Sequence, residues 1–229
     1  MSKDIARDIY DEVEYMPITL RSDKIKVGII GGGKAALIKT KAFNKRNINI
    51  EVLAIEFIEE FKYEIKKYSN TKLIKGYYNE EFILDKHIII IAINDDSTID
   101  NIIKDCNRYA KIFVNSTQHK QGLAIVPSII EGEHIVASVN TKEGNPKGAV
   151  LVSKKIKEVI NEYDSFISFS TNIRNHVQLD RQLKIELLTF INSEDFKYIF
   201  KKNKHIDILT LFYGEELKER IEKSIRRQL

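Results

Sequence analysis

The sequence predicts an α/β fold. An open parallel sheet with helices on both faces comes first, then a small β/α segment, then a helical C-terminal domain. Three observations carry this reading. Short β-branched runs alternate with helical patterns from residue 25 to about 114, as a doubly wound sheet requires. Three consecutive glycines, Gly31-Gly32-Gly33, separate the first run from the first helical pattern. Beyond residue 149 the pattern is helical almost to the C-terminus.

Each element has its own warrant. Residues 1–24 read as a short polar helix followed by an extended lead-in, Tyr15-Met16-Pro17-Ile18-Thr19-Leu20, because Pro17 disfavours helix for Met16. Ile25-Lys26-Val27-Gly28-Ile29-Ile30 is the first strand, 34–47 a helix and 48–55 the second strand. A helix is expected over 56–67 and a short strand over 71–75. Strand 88–93 contains four successive isoleucines, so it should be buried on both faces. Asp95-Asp96-Ser97 can cap a helix over 98–110, and 111–114 is the last strand of the sheet. After Asn115 the pattern changes. Two β pieces, 126–130 and 134–139, flank the turn Glu131-Gly132-Glu133. A loop over 141–148 leads into a helix from 149 to about 163. The remainder is helical, with breaks expected near 165–171, at Asn192-Ser193 and at Tyr213-Gly214.

Composition narrows the function. A chain of 229 residues that is 43% hydrophobic and 31% charged can bury a core and is not disordered. The run from His87 to Ile93 is far too short to span a bilayer, and Met1-Ser2-Lys3-Asp4 does not open a signal peptide, so no membrane is expected. A single cysteine, Cys106, excludes a disulfide scaffold and a CxxC metal site, reads as a small core residue, and makes a cytoplasmic location the expectation. The five histidines show no metal-ligand spacing, so no metal is expected. A net charge of +4, with the charges interspersed, does not argue for nucleic acid and suits a polyanionic small molecule equally well. The tail over 215–227 alternates glutamates with lysines and arginines, as a salt-bridged exposed helix does.

Gly31-Gly32-Gly33-Lys34-Ala35-Ala36 fits G-x-G-x-x-A between a predicted strand and a predicted helix. The first glycine allows the tight turn, the second lets the backbone approach a pyrophosphate, and Ala36 lets helix and strand pack closely. Free N–H groups and the dipole at the helix start favour the phosphate charge. The first half of the chain is therefore read as a Rossmann-like domain that binds NAD. Glu56, just past the second strand, stands where a carboxylate accepts the ribose hydroxyls, and no arginine beside it would favour NADP. The alternative for Glu56 is a plain carboxylate at a helix start. Asn94 and Asn115 end the next strands, where ligands bind in such sheets, or are plain turn residues.

The chain resembles the precorrin-2 dehydrogenase/sirohydrochlorin ferrochelatase family. The residues that carry this are Tyr15-Met16-Pro17-Ile18, Lys26 through Lys39 with the glycine turn, Val52-Leu53-Ala54-Ile55-Glu56-Phe57, Ala92-Ile93-Asn94-Asp95-Asp96, Val114-Asn115, Val126-Pro127-Ser128-Ile129-Ile130, and Ala137-Ser138-Val139 with a loop ending in Pro146. The resemblance covers roughly residues 13–160. It implies NAD-dependent oxidation of precorrin-2 to sirohydrochlorin, a homodimer in which the middle segment interlocks two chains, and an active site between domains. It implies a division into an NAD-binding domain over 1–115, a dimerisation and active-site segment over 116–150, and a helical domain over 151–229. Lys34, Ala35 and Ile55 join Gly31, Gly32, Gly33, Glu56, Asn94 and Asn115 as its expected cofactor contacts.

One departure bears on the chemistry. Where the family has an aspartate proposed to act in catalysis, this chain has Gln118, in Ser116-Thr117-Gln118-His119. Gln118 cannot act as a base; His119 beside it can take or give a proton near neutrality. These two are the expected catalytic positions. Hydride transfer needs mainly positioning, so it survives the substitution better than iron insertion, which must remove pyrrole protons. The substrate the resemblance implies is a tetrapyrrole polycarboxylate, for which Lys120, Thr141, Lys142 and Lys147, with Arg174 further on, are the expected contacts. The alternatives are a non-catalytic NAD-binding regulatory protein and a sirohydrochlorin metal chelatase.

Overall fold

Five β-branched runs form one parallel sheet. A computed structural model describes residues 14–226, so the polar helix expected at the N-terminus lies outside the described residues. The strands are β1 (Lys26–Ile30), β2 (Asn49–Ala54), β3 (Thr71–Lys75), β4 (Ile88–Ile91) and β5 (Ile112–Asn115), in the order β3-β2-β1-β4-β5. Their connections are α1 (Lys34–Asn44), α2 (Glu59–Ile65), α3 (Glu81–Leu84) and α4 (Asp96–Arg108). The order reverses between β1 and β4, the switch point at which such sheets bind ligands beyond their carboxyl ends. The four-residue helix α3 is not anticipated by the sequence pattern, being one turn long.

The isoleucine run behaves as its pattern predicts. Ile88 and Ile90 join one core cluster with Val27, Ile29, Val52, Leu37 of α1 and Phe61 of α2. Ile89 and Ile91 join the other, with Leu53, Phe113, Ile83 of α3 and Ile102 of α4. Side chains alternate across a strand, so one run supplies both layers. Each fully buried isoleucine contributes about 1.5–3 kcal/mol of burial free energy. Cys106 is buried in the second cluster, and burial pushes its thiol up to about 12, as a core residue and not a nucleophile. Glu51 of β2 is half-buried and forms an ion pair with the buried Lys86 at 2.8 Å.

The contacts divide the chain into two units at Val126–Pro127. The sequence suggests three segments; the 116–150 stretch is shared between these two units. Its first part closes the sheet unit, where Ala124 N–H donates to the Phe113 carbonyl at 3.0 Å. Its second part forms the antiparallel hairpin β6 (Ser128–Glu131) and β7 (Val136–Val139). That hairpin is fastened to α5 (Pro146–His176), whose Asp164 carboxylate accepts the Glu133 and His134 N–H groups at 2.6 and 2.9 Å.

The helical unit corrects two boundaries. Helix α5 starts at Pro146, inside the expected loop, because Asn145 caps it by accepting the Gly148 N–H at 2.8 Å. It then runs unbroken through the break expected at 165–171. The serines there suggest a breaker, but Phe166, Phe169 and Ile173 recur at helical spacing and are buried against Leu187, Ile191, Phe196, Leu209, Leu217 and Ile221. The breaks at Asn192-Ser193 and Gly214 are observed: α6 (Arg181–Ile191) is followed by α7 (Glu194–Lys201), and Gly214 in α8 (His205–Arg226) has φ of 83°. A further break between α7 and α8 turns on Asn203, with φ of 56°. The tail is salt-bridged as expected, by Lys218–Glu215, Arg220–Glu216 and Lys223–Glu219.

Candidate functional site

The carboxyl edge of the sheet gathers most of the expected cofactor residues. Gly31-Gly32-Gly33 follows β1, Ile55-Glu56 follows β2, Asn94 follows β4, and Asn115 ends β5. The strands are parallel and in register, so these positions share one edge.

The three glycines do three different jobs. Gly31 has φ of +136°, and a Cβ there would stand 2.3 Å from the Ala92 carbonyl oxygen. Its N–H donates to the Leu53 carbonyl at 2.8 Å, which ties the turn to β2. At Gly32 a Cβ would stand 1.9 Å from the Glu56 carbonyl oxygen, and the Gly32 carbonyl accepts the Ile58 N–H at 3.0 Å. These two glycines are therefore explained by the protein itself. Gly33 is not. Its φ of −93° is open to any residue, and nothing in the protein lies within 4 Å of a Cβ placed there. The space beside Gly33 is a cradle that a side chain would fill.

The helix behind that cradle is unsatisfied at its start. Gly33 caps α1 without a side-chain hydrogen bond, and the first turn of α1 holds no acidic residue. Among the described α-helices no other lacks both. Lys34 and Ala35 are exposed beside the cradle, and Ala36 is buried. Orphan N–H groups, a positive dipole end, a nearby lysine and an open approach are what a pyrophosphate needs. These residues fit a dinucleotide. Ile55 is exposed, as a flat apolar platform for a ring must be, and Glu56 is exposed next to it. Asn94 is exposed and directly precedes Asp95.

Asn115 ends β5 as expected and takes the turn role that was its alternative. It is fully buried, and its side chain builds its own loop. The Oδ1 atom accepts from Thr117 N–H at 3.0 Å, Thr117 Oγ1 at 2.8 Å and Gln118 N–H at 3.1 Å. The Nδ2 atom donates to Gln121 Oε1 at 3.0 Å. Gln118 and His119 stand exposed on the loop thus closed, with a 3₁₀ turn over His119–Gln121. Lys120 is exposed on the same loop. Gln121 is the residue that sequence reasoning missed. No motif marks it, because its partner lies six positions away across a loop of irregular shape.

The remaining candidates lie in the helical unit. The Thr141 hydroxyl accepts the Asn145 N–H at 2.6 Å, so it shapes the turn before α5. Lys142 is exposed in that turn, and Lys147 is exposed in the first turn of α5. Arg174 lines a groove with Ile167, Ser170, Leu188 and Asn192. Two further histidines do structural work: His87 Nδ1 accepts the Lys26 N–H at 3.0 Å, and His205 lies against the rings of Phe169 and Phe200, where burial pulls its pKa down.

Comparison with known proteins agrees with the turn. Residues 18–128 match the family described as "Putative NAD(P)-binding". Over 222 residues, 93% of the chain and 97% of the relative, it is 27% identical to a protein of Methanocaldococcus jannaschii named "Putative precorrin-2 dehydrogenase". It is also 24% identical over 152 residues to "Siroheme synthase 2" of Cronobacter sakazakii and 26% identical to a "Siroheme synthase" of Salmonella dublin. Those matches span 66% of this chain but only 33% of each synthase. The fold is that of a solved structure titled "SirC, precorrin-2 dehydrogenase", with a TM-score of 0.63 at 21% identity, covering 91% of this chain and 100% of the other. The resemblance to the precorrin-2 dehydrogenase family, read over roughly residues 13–160, is thus borne out.

Proposed function

We propose that this protein oxidises precorrin-2 to sirohydrochlorin with NAD as the hydride acceptor. The observation that carries the reading is the open cradle at Gly33 before an uncapped helix, in a chain similar to precorrin-2 dehydrogenases over 93% of its length. The α1 N-terminus and Lys34 hold the pyrophosphate. Ile55 takes the adenine face, and Glu56 accepts the ribose hydroxyls, which favours NAD over its phosphorylated form. A dinucleotide held by these residues would supply the hydride acceptor.

The oxidation also releases a proton, and His119 receives it on its free ring nitrogen. Gln118 cannot titrate; its amide donates and accepts hydrogen bonds that orient the substrate edge. Lys120, Thr141, Lys142 and Lys147 bind carboxylate arms of the tetrapyrrole. The loss of the family's aspartate argues against iron insertion. A homodimer built on the middle segment is supported by exposed apolar side chains on the hairpin and α5, namely Ile129, Val136, Val150 and Leu151. A cytoplasmic location fits a soluble biosynthetic enzyme with one buried thiol. No helix of the described residues is long and apolar enough to cross a membrane.

The test is anaerobic conversion of precorrin-2, followed by absorbance, with NAD, with NADP and with neither. Conversion that requires NAD is the expected result. No conversion, with NAD binding intact by calorimetry, would move the assignment to a regulatory NAD-binding protein, a reading favoured by Gln118 alone.

A further inference from the structure

The loop after β5 is exposed at its tip and fixed at its base. It leaves the sheet at Asn115 and returns at Gly122, where a Cβ would stand 3.0 Å from the Asn115 nitrogen. At the base, Ser116 N–H donates to the Ile91 carbonyl at 2.9 Å, and Gly122 N–H donates to the His119 carbonyl at 3.2 Å. The Asn115 side chain spends its Oδ1 on the outgoing half of the loop, at Thr117 and Gln118. It spends its Nδ2 on the returning half, at Gln121 Oε1. Gln121 N–H also donates to the Gln118 carbonyl at 3.0 Å. The buried amide therefore joins both halves, and Gln121 is the side chain that closes the join.

We infer that Gln121 is a positioning residue, which holds the 116–121 loop in one shape through the buried Asn115 and so fixes where His119 stands. This rests on His119 being the proton acceptor of the proposed reaction. A base on a loose loop samples many geometries, and proton transfer needs it within hydrogen-bond reach. One side-chain hydrogen bond, from a fully buried donor, ties the returning half of the loop to Asn115. Removing the acceptor leaves the Asn115 Nδ2 without a partner inside the protein, which drives the loop to rearrange.

The experiment is a double-mutant cycle in kcat on the full chain, using Gln121→Ala, His119→Ala and the pair, with Gln121→Glu as the conservative variant. Gln121→Ala should lower kcat about ten- to a hundredfold while leaving the NAD dissociation constant unchanged. Gln121→Glu keeps an oxygen for the Asn115 Nδ2 and should recover most of the rate. In the His119→Ala background, Gln121→Ala should cost nothing further, because the group it positions is gone. Backbone amide relaxation at His119 supplies a readout independent of turnover: rigid in the parent, mobile in Gln121→Ala. Additive losses, an unchanged kcat in Gln121→Ala, or a His119 amide that stays rigid there would each overturn the inference while leaving the proposed reaction in place. A parent-like kcat in His119→Ala would overturn the assignment of the base and the positioning role with it, and is recognised because it holds whatever stands at 121.

Discussion

Helices α1 and α4 leave neighbouring parallel strands at the same edge of the sheet, yet their first turns are built in opposite ways. At α4 the Asp95 carboxylate accepts the Thr98 N–H and the Ser97 hydroxyl, each at 2.9 Å. Those hydrogen bonds hold its carboxyl below the usual carboxylate range. At α1 the cap is Gly33, which brings no acceptor and leaves an empty space at its α-carbon. A helix start that is satisfied by its own cap has nothing left for a ligand. One that is left unsatisfied, with room beside it, marks where an outside anion supplies the missing partner.

The largest effect should come from filling the empty side of this comparison. Gly33→Asp places a charge at the proposed pyrophosphate position, and like charges at such contact cost several kcal/mol. NAD affinity by calorimetry should fall about a hundredfold or more, with the melting temperature nearly unchanged because no protein atom opposes the new Cβ. Retained affinity would remove the dinucleotide from this turn. Gly32→Ala should do the reverse. Its Cβ meets the Glu56 carbonyl, so overpacking should destabilise the sheet unit by about 1–3 kcal/mol in thermal unfolding, whether or not NAD is present.

A smaller change is expected from Glu56→Gln, which removes the charged acceptor proposed for the ribose hydroxyls. NAD binding should weaken about tenfold and the preference over NADP should shrink, as competing titrations would read. The smallest concerns α4. Asp95→Ala should lower the melting temperature by a few degrees without changing NAD affinity. Asp95→Asn keeps the cap but removes its titration. The Asp95 pKa is depressed in the folded state, so its contribution is present above the ordinary value of 3.8 and is lost as pH falls through the folded value. Acid unfolding of the parent should therefore show a loss below that value which Asp95→Asn lacks. Equal acid profiles would show that the cap's charge is unimportant.

Much of the sheet unit was legible because its signals are local. Period-2 runs, the Asp95 cap and the glycine turn each lie within a few residues, and the isoleucine run states its own two-sided burial. The helical unit was less legible. Ser165, Ser168 and Ser170 read as a break by local preference, yet Phe166, Phe169 and Ile173 pull the same turns into a core made with α6, α7 and α8. Asn115 shows the same divide within the candidate site: its type and place left a ligand contact and a turn role both open, and its hydrogen bonds go to its own loop.

The fold class, the parallel sheet and the glycine turn follow from spacing along the chain, which sets which residues share a face or a turn. Only the tertiary structure decided which of three adjacent glycines is free. It is also what paired Asn115 with Gln121 and gave part of the 116–150 stretch to each unit. Those outcomes depend on what stands across a gap, and a neighbour brought close by folding leaves no periodic mark in the chain that meets it.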